Sequence, residues 1–230
     1  MKDLDYFEHL EVLRKKLLWS LFVFFIIIVI IFYKADYILK LLQYPIRSLD
    51  IKLHYLKPQE KIICYLKASM FASIIFSFPY LLLQLVSFIS PAFDKNRRLL
   101  WSGVLFSILL FWIGIAISVL FMAPFVFKFL VNFGKEDGII PVWSIESYLN
   151  LLLTVSLAIG ITFELPVILT ILIKNKILPL EKLKKLRPYI FLLSFIIGAI
   201  LTPPDVLSQI IFALFFYFLF EISLILGRLL

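Results

Sequence analysis

"SLAIGITFELPVILTIL", residues 156–172, holds one formal charge, Glu164, among seventeen residues. So apolar a run needs either lipid or a large buried core, and the rest of the chain decides between them. Of 230 residues 63% are hydrophobic and only 17% are charged, and the mean hydropathy is +1.04. Globular domains sit near half apolar, and a soluble core of this size cannot hide so much apolar surface. Lipid is the solvent this composition implies. In lipid only helices or closed barrels satisfy their own backbone, and the apolar runs show no alternation of period two. The spans are therefore helices.

A hydrocarbon layer about 30 Å thick requires roughly 20 apolar helical residues. Four segments meet this: 17–33, 67–89 with a kink expected at Phe78-Pro79, 99–123 and 148–173. The remaining apolar runs, 189–201 and 206–220, flank "TPPD" and reach only about 20 and 22 Å as helices. They form either a re-entrant hairpin or two short spans that thin the bilayer. Pro203 and Pro204 end the first of them, and Asp205 or Thr202 caps the second, so the pair is read as two spans across a structural turn. The expected fold is an all-α integral membrane protein with six transmembrane helices, the last two short, forming one polytopic domain over 1–230.

Positive charge sets orientation. With six spans, the amino-terminal segment, the loops 90–98 and 174–188 and the tail share one side and hold fourteen Lys and Arg, against eight in the opposite loops 34–61 and 124–147. Both termini are thus expected to be cytoplasmic, with 34–61 and 124–147 periplasmic. Residues 1–16 should form a cytoplasmic amphipathic helix, because Phe7, Leu10, Leu13 and Leu17 recur at helical spacing. No cleavable signal is expected, since the charged start and the length of 17–32 do not suit one. Trp19, Trp101, Trp112 and Trp143 fall mostly near span ends, as interface anchors do.

Few residues offer chemistry. Cys64 is the lone cysteine, and His9 and His54 have no partners at ligand spacing, so neither a metal nor a cofactor is expected. No P-loop, HExxH or GxSxG occurs, and no enzyme is expected. The net charge of +8 falls between apolar runs, where topology and headgroups explain it without nucleic acid. Glu164 stands out, because an ionisable group at such depth faces a bundle interior or a wet cavity. Pro166 deprives the Thr162 carbonyl of its helical donor, so Glu164 and Thr162 form a polar notch. One reading makes the notch a binding point; the other gives Glu164 an interhelical hydrogen bond to Gln84. At the amino terminus Glu8 and Glu11 lie three apart on one helical face, placed to take a guanidinium. The plainer reading of that face is an Glu11–Arg14 pair in solvent.

Six strings occur in an order that resembles the TatC family, the polytopic core of the twin-arginine translocase: "HLEVLRKK" (9–16), "PQEKI" (58–62), "FPYLLLQLVSFISPAF" (78–93), "FELP" (163–166), "LRPY" (186–189) and "LTPPDVLSQ" (201–209). The resemblance implies a receptor for signal peptides bearing consecutive arginines. With single-span TatA and TatB partners it would support export of folded proteins across a prokaryotic cytoplasmic (inner) membrane, driven by the proton-motive force. It implies recognition by the amino-terminal helix and the first cytoplasmic loop, with Glu164 facing a concave, lipid-open cavity. Self-association is open. The family commonly reads HLxELR, whereas Val12 stands here in the acidic position and Glu11 one place earlier. Relatives often carry Glu-Arg-Arg after "SPAF", where this chain has "DKNRR". The expected signal-binding set is accordingly Glu8, Glu11, Arg14, Asp94, Asn96 and Arg97, with Glu164, Gln84 and Thr162 as the intramembrane polar site. The rival reading is a proton-coupled small-molecule transporter with Glu164 as proton site; a passive membrane scaffold is a third.

Overall fold

The computed structural model describes residues 2–47, 49, 51–90, 97–136, 142–201 and 206–229, with side chains described except at 2–9, 97 and 134–136. Helix α1 (Lys2–Phe32) runs without interruption from the amphipathic start into the first apolar stretch, and a two-residue turn leads to α2 (Ala35–Leu42). After the 3-10 turn Tyr44–Ile46 and strand β1 (Leu53–His54) comes α3 (Glu60–Ile89), which passes through Pro79 as one helix. Next are α4 (Arg97–Ile117), a π turn (Ser118–Met122) and α5 (Ala123–Glu136). Strand β2 (Trp143–Ser144) then opens α6 (Ile145–Thr162), followed by α7 (Leu165–Lys174), α8 (Leu180–Lys185), α9 (Arg187–Leu201) and α10 (Val206–Leu229). Among the described residues five helical stretches are long and apolar enough to cross a membrane: Leu10–Phe32, Glu60–Ile89, Arg98–Phe133, Ile145–Lys174 and Val206–Leu229.

Three expectations are corrected. The last two apolar helices are not both short: α9 has 15 residues, about 22 Å, but α10 has 24. Helix α10 continues past Phe220 because its polar residues are satisfied. Glu221 accepts from Arg187 at 2.6 Å and from the Tyr217 hydroxyl at 2.9 Å, and the Ser223 hydroxyl donates to the Leu219 carbonyl at 2.7 Å. Second, the third span does not end at Ala123. Pro124 has no N–H for the carbonyl four residues back, and the π turn before it, closed by the Ala123 N–H on the Ser118 carbonyl, lets helix continue to Glu136 inside the expected loop 124–147. Third, the fourth span is two helices, broken at Phe163 and Glu164. The turn residues Pro203, Pro204 and Asp205 lie outside the described residues.

Helix α6 is the centre of the bundle, and half of its most apolar window, within Ile145–Lys174, is buried. Helix α4 lies antiparallel to α6 and α7 in a readable register. Gly103 abuts Val167 and Ile171, Gly114 abuts Gly160 and Phe163, and Ser118 donates to Ser156. At the closest point a Cβ on Gly114 would stand 2.7 Å from the Phe163 ring and 3.0 Å from the Gly160 Cα, so the backbones meet where neither residue has a side chain. Helix α1 sits on the rim against α3, with Leu17, Phe22, Val29 and Ile30 more than half exposed, a face suited to lipid.

A cap closes the end of the bundle where α1 finishes. Strands β1 and β2 pair in parallel, Leu53 with Trp143 and His54 with Ser144. Beside them Glu60, 1% exposed, accepts from the amides of Leu56 (2.6 Å), Lys57 (3.1 Å) and Glu146 (3.0 Å) and from the Ser144 hydroxyl. Four donors and no competing acceptor match an ionised carboxylate. The Tyr148 hydroxyl donates to the Leu42 carbonyl at 2.6 Å, and Lys67 bridges Glu146 (2.7 Å) and Asn150 (2.8 Å). One side chain thereby holds the 53–57 segment, the start of α3 and the start of α6 together. Replacing Glu60 with Ala should speed amide exchange in peptides covering 53–60 and 143–147 while leaving those from 206–229 unchanged. Unaltered exchange at both cap segments, read by mass spectrometry, would refute the clamp.

Candidate functional site

Two places in the fold collect the predicted site residues. The first is the amino-terminal end of α1. Glu11 and Arg14 are both exposed, and among the described residues no ion pair joins them, so the solvated pair expected from their spacing does not form. Two residues beyond Arg14, the Lys16 ammonium donates to the Ser87 hydroxyl at 2.7 Å. That bond pins the start of the apolar stretch of α1 to the last turn of α3, and the exposed Glu11 lies five residues before Lys16 on the same helix. Asp94 and Asn96 lie outside the described residues, as do the side chains of Glu8 and Arg97. In α8, Lys184 lies 2.5 Å from Glu181, and this hydrogen bond holds the Glu181 carboxyl below its ordinary value.

The second place is Glu164. Pro166, the second residue of α7, supplies no N–H to the carbonyl of Thr162, and α6 ends there. The chain makes one turn in which the Glu164 amide donates to the Ile161 carbonyl and the Glu164 carbonyl accepts from Ile168, each at 3.0 Å. The step points the carboxyl group at α4 and buries it, with 6% exposed. Oε2 accepts from the Ser107 hydroxyl, while among the described residues Oε1 has no hydrogen-bond partner and is buried.

The expected company of Glu164 is different. Gln84 donates to the Tyr80 hydroxyl at 3.0 Å on its own helix, and Thr162 donates to the Ala158 carbonyl at 2.7 Å, again on its own helix. Both are satisfied locally, as hydroxyls and amides in apolar helices commonly are, and neither joins the carboxylate. Ser107 is the partner that sequence reading missed. Its only sign in the sequence is a small polar residue at mid-span, and the α4–α6 register is needed to bring it opposite Glu164. Glu164 itself is buried, and what remains is one buried acceptor atom, Oε1, beside the bond to Ser107 of α4.

The profile of the family described as "Sec-independent protein translocase protein (TatC)" matches residues 8–214. The TatC protein of Aquifex aeolicus (strain VF5) is 34% identical over 226 residues, covering 96% of this chain and 94% of the relative. That of Escherichia coli (strain K12) is 35% identical over 231 residues, covering 96% and 86%. A crystal structure of the twin-arginine translocase receptor TatC superposes with a TM-score of 0.86 at 34% identity, over 96% of this chain and 98% of that one.

A single bond to Glu164 has a thermodynamic signature. Ser107→Ala strands both carboxylate oxygens and should destabilise the protein by about 1–3 kcal/mol. Adding Glu164→Leu should restore most of that loss, because replacing both partners by apolar groups is nearly neutral. Additive losses in the double variant, measured by reversible unfolding in mixed micelles, would show that the two residues are not coupled.

Proposed function

The chain belongs to the TatC family and is a multi-pass membrane component of a Sec-independent protein translocase, and from that premise we propose that it is the signal-peptide receptor of its system. It binds twin-arginine signal peptides at the amino-terminal face of α1 together with the segment 91–97. It then assembles with single-span TatA-like and TatB-like partners to export folded proteins, using the proton-motive force. Its place is the prokaryotic inner membrane, with both termini cytoplasmic.

The observation that carries this reading is the exposed Glu11, in no ion pair among the described residues, on a helix pinned to the end of α3 by the Lys16–Ser87 bond. A carboxylate in that state offers both oxygens to a planar guanidinium, and a second one at Glu8, one helical turn earlier, doubles the anionic surface. Arg14, Asp94, Asn96 and Arg97 complete the proposed binding set. The shift of the acidic residue from position 12 to Glu11 moves the face around the helix by about 100°, so Glu8 and Glu11 take over recognition in this chain. Glu164 acts later: its buried Oε1 offers a polar contact to a partner helix or signal hairpin once that partner displaces the helix packing around it.

Arginine selectivity tests the receptor reading. In lipid nanodiscs a signal peptide with Arg-Arg should bind more tightly than the same peptide with Lys-Lys, because equal charge leaves bidentate geometry as the difference. The Glu8→Gln/Glu11→Gln variant should lose that preference. Equal affinities for the two peptides, or a preference that survives the double substitution, would overturn the assignment of these acids. Glu164→Ala should accumulate normally in the membrane yet export a folded reporter poorly; wild-type export by that variant would remove Glu164 from the mechanism.

A further inference from the structure

Six of the eight Lys and Arg on the expected external side fall in the single segment 34–61, a density that the topology rule works against. Three of the six converge. A cleft of about 670 Å³ opens between α2, the Tyr44–Ile46 turn, β1 and the start of α6. Lys40, Gln43, Arg47, Lys52 and His54 line it, with Ile145 from α6 among the apolar side chains at its wall. Lys40, Arg47 and Lys52 are exposed, and among the described residues none of them forms an ion pair. The segment's own described acids are committed elsewhere, Glu60 to its four donors and Asp36 to the Tyr65 hydroxyl; Asp50 lies outside the described residues. Arg47 donates to the Lys40 carbonyl at 3.4 Å and stands 6.0 Å from the Tyr44 ring centre, which leaves the rest of its guanidinium edge for a ligand.

The cleft also has a level in the membrane. Helix α2 starts two residues after the apolar stretch of α1 ends. Tyr37, Leu41 and Tyr44 repeat at helical spacing and are exposed by 68%, 56% and 46%, with Tyr33 just before them at 85%. Exposed tyrosines in one stripe at a span's end are the mark of a helix lying in the headgroup layer. Lys40 is three residues after Tyr37 and four before Tyr44, on the same face.

We propose that this cleft binds the phosphate of an anionic phospholipid headgroup, with Lys40, Arg47 and Lys52 facing the phosphate and the tyrosine stripe holding α2 at the lipid surface. Arg47 supplies the directional, two-pronged contact and the lysines supply point charges. A basic residue near headgroups contributes about fivefold in affinity, so removing three weakens binding on the order of a hundredfold. The consequence is a cap anchored to the bilayer by a bound lipid as well as to the bundle by Glu60.

The test uses the full chain in mild detergent, titrated with phosphatidylglycerol or with phosphatidylcholine of the same acyl chains, and retained lipid is counted by native mass spectrometry. The wild type should retain phosphatidylglycerol preferentially. Lys40→Gln/Arg47→Gln/Lys52→Gln should lose that retention on the order of a hundredfold, and Lys40→Gln alone about fivefold. A control with the same change of charge on the same segment, Lys34→Gln/Lys57→Gln/Lys61→Gln, should retain the lipid as the wild type does. Size-exclusion profiles establish that each variant is folded, and the single substitution of an exposed lysine keeps the test open if the triple variant does not fold. Equal retention of the two lipids, equal losses in both triple variants, or no loss in either would overturn the proposal. Displacement of the lipid by excess inorganic phosphate would assign the cleft to a soluble anion instead, and would overturn the lipid source.

Discussion

Hydrocarbon offers no hydrogen-bond partner, and most of this structure is a response to that constraint. Within the spans the hydroxyls of Ser73, Thr162 and Ser223 return to carbonyls four residues earlier on their own helices, and Ser118 and Ser156 meet each other. Helix α3 passes through Pro79 unbroken, but before Pro124 the chain changes helix type at Ser118–Met122 and before Pro166 it breaks at Glu164. The breaks are not interchangeable. The π turn keeps a long helix running into the cap, whereas the step before Pro166 changes the direction of a carboxyl group. Against so thorough a satisfaction of polar atoms, the unpartnered Oε1 of Glu164 is conspicuous, and it shares that condition with Ser69 and Thr170. A carboxyl oxygen is the most expensive of the three to leave so.

Between helices the same solvent removes the usual hydrophobic attraction, and close contact has to supply the cohesion. Glycine makes this possible at three seams. Gly114 and Gly160 bring α4 and α6 together, Gly198 lets α9 approach the backbone of α10 near Gln209, and Gly227 receives Ile173 of α7. Gln209 adds a hydrogen bond to the Phe195 carbonyl at 3.0 Å across the α9–α10 seam. Helix α9 is too short to reach across a bilayer of ordinary thickness as a straight helix, and this lateral attachment to α10 gives it support that its length does not.

Outside the hydrocarbon the logic reverses, and charge becomes the fastener. The cap is joined to the bundle through Glu60 and the Lys67–Glu146–Asn150 cluster, and α9 to α10 through Arg187, Glu221 and Tyr217. The amino-terminal helix is attached by Lys16 to Ser87, while Glu11 on the same helix forms no ion pair among the described residues. The mount and the exposed charge are five residues apart on one helix.

Composition and the lengths of apolar runs determined the solvent, the helical class and the position of most spans, since those depend on transfer free energy summed over some twenty residues. Local residue chemistry also marked Glu164 and Pro166 as a pair. What it did not determine was where helices end. Helix α5 beyond Ala123 follows from the π turn that accommodates Pro124, and α10 beyond Phe220 from the groups that satisfy Glu221, and apolar length alone registers neither. The company of Glu164 was likewise a tertiary outcome. Gln84 and Thr162 were plausible by depth, but local acceptors on their own helices satisfied them, and Ser107 was delivered only by the antiparallel register that Gly114 and Gly160 permit. Sequence sets the cost of each polar atom in lipid; only packing between helices decides which atom meets it.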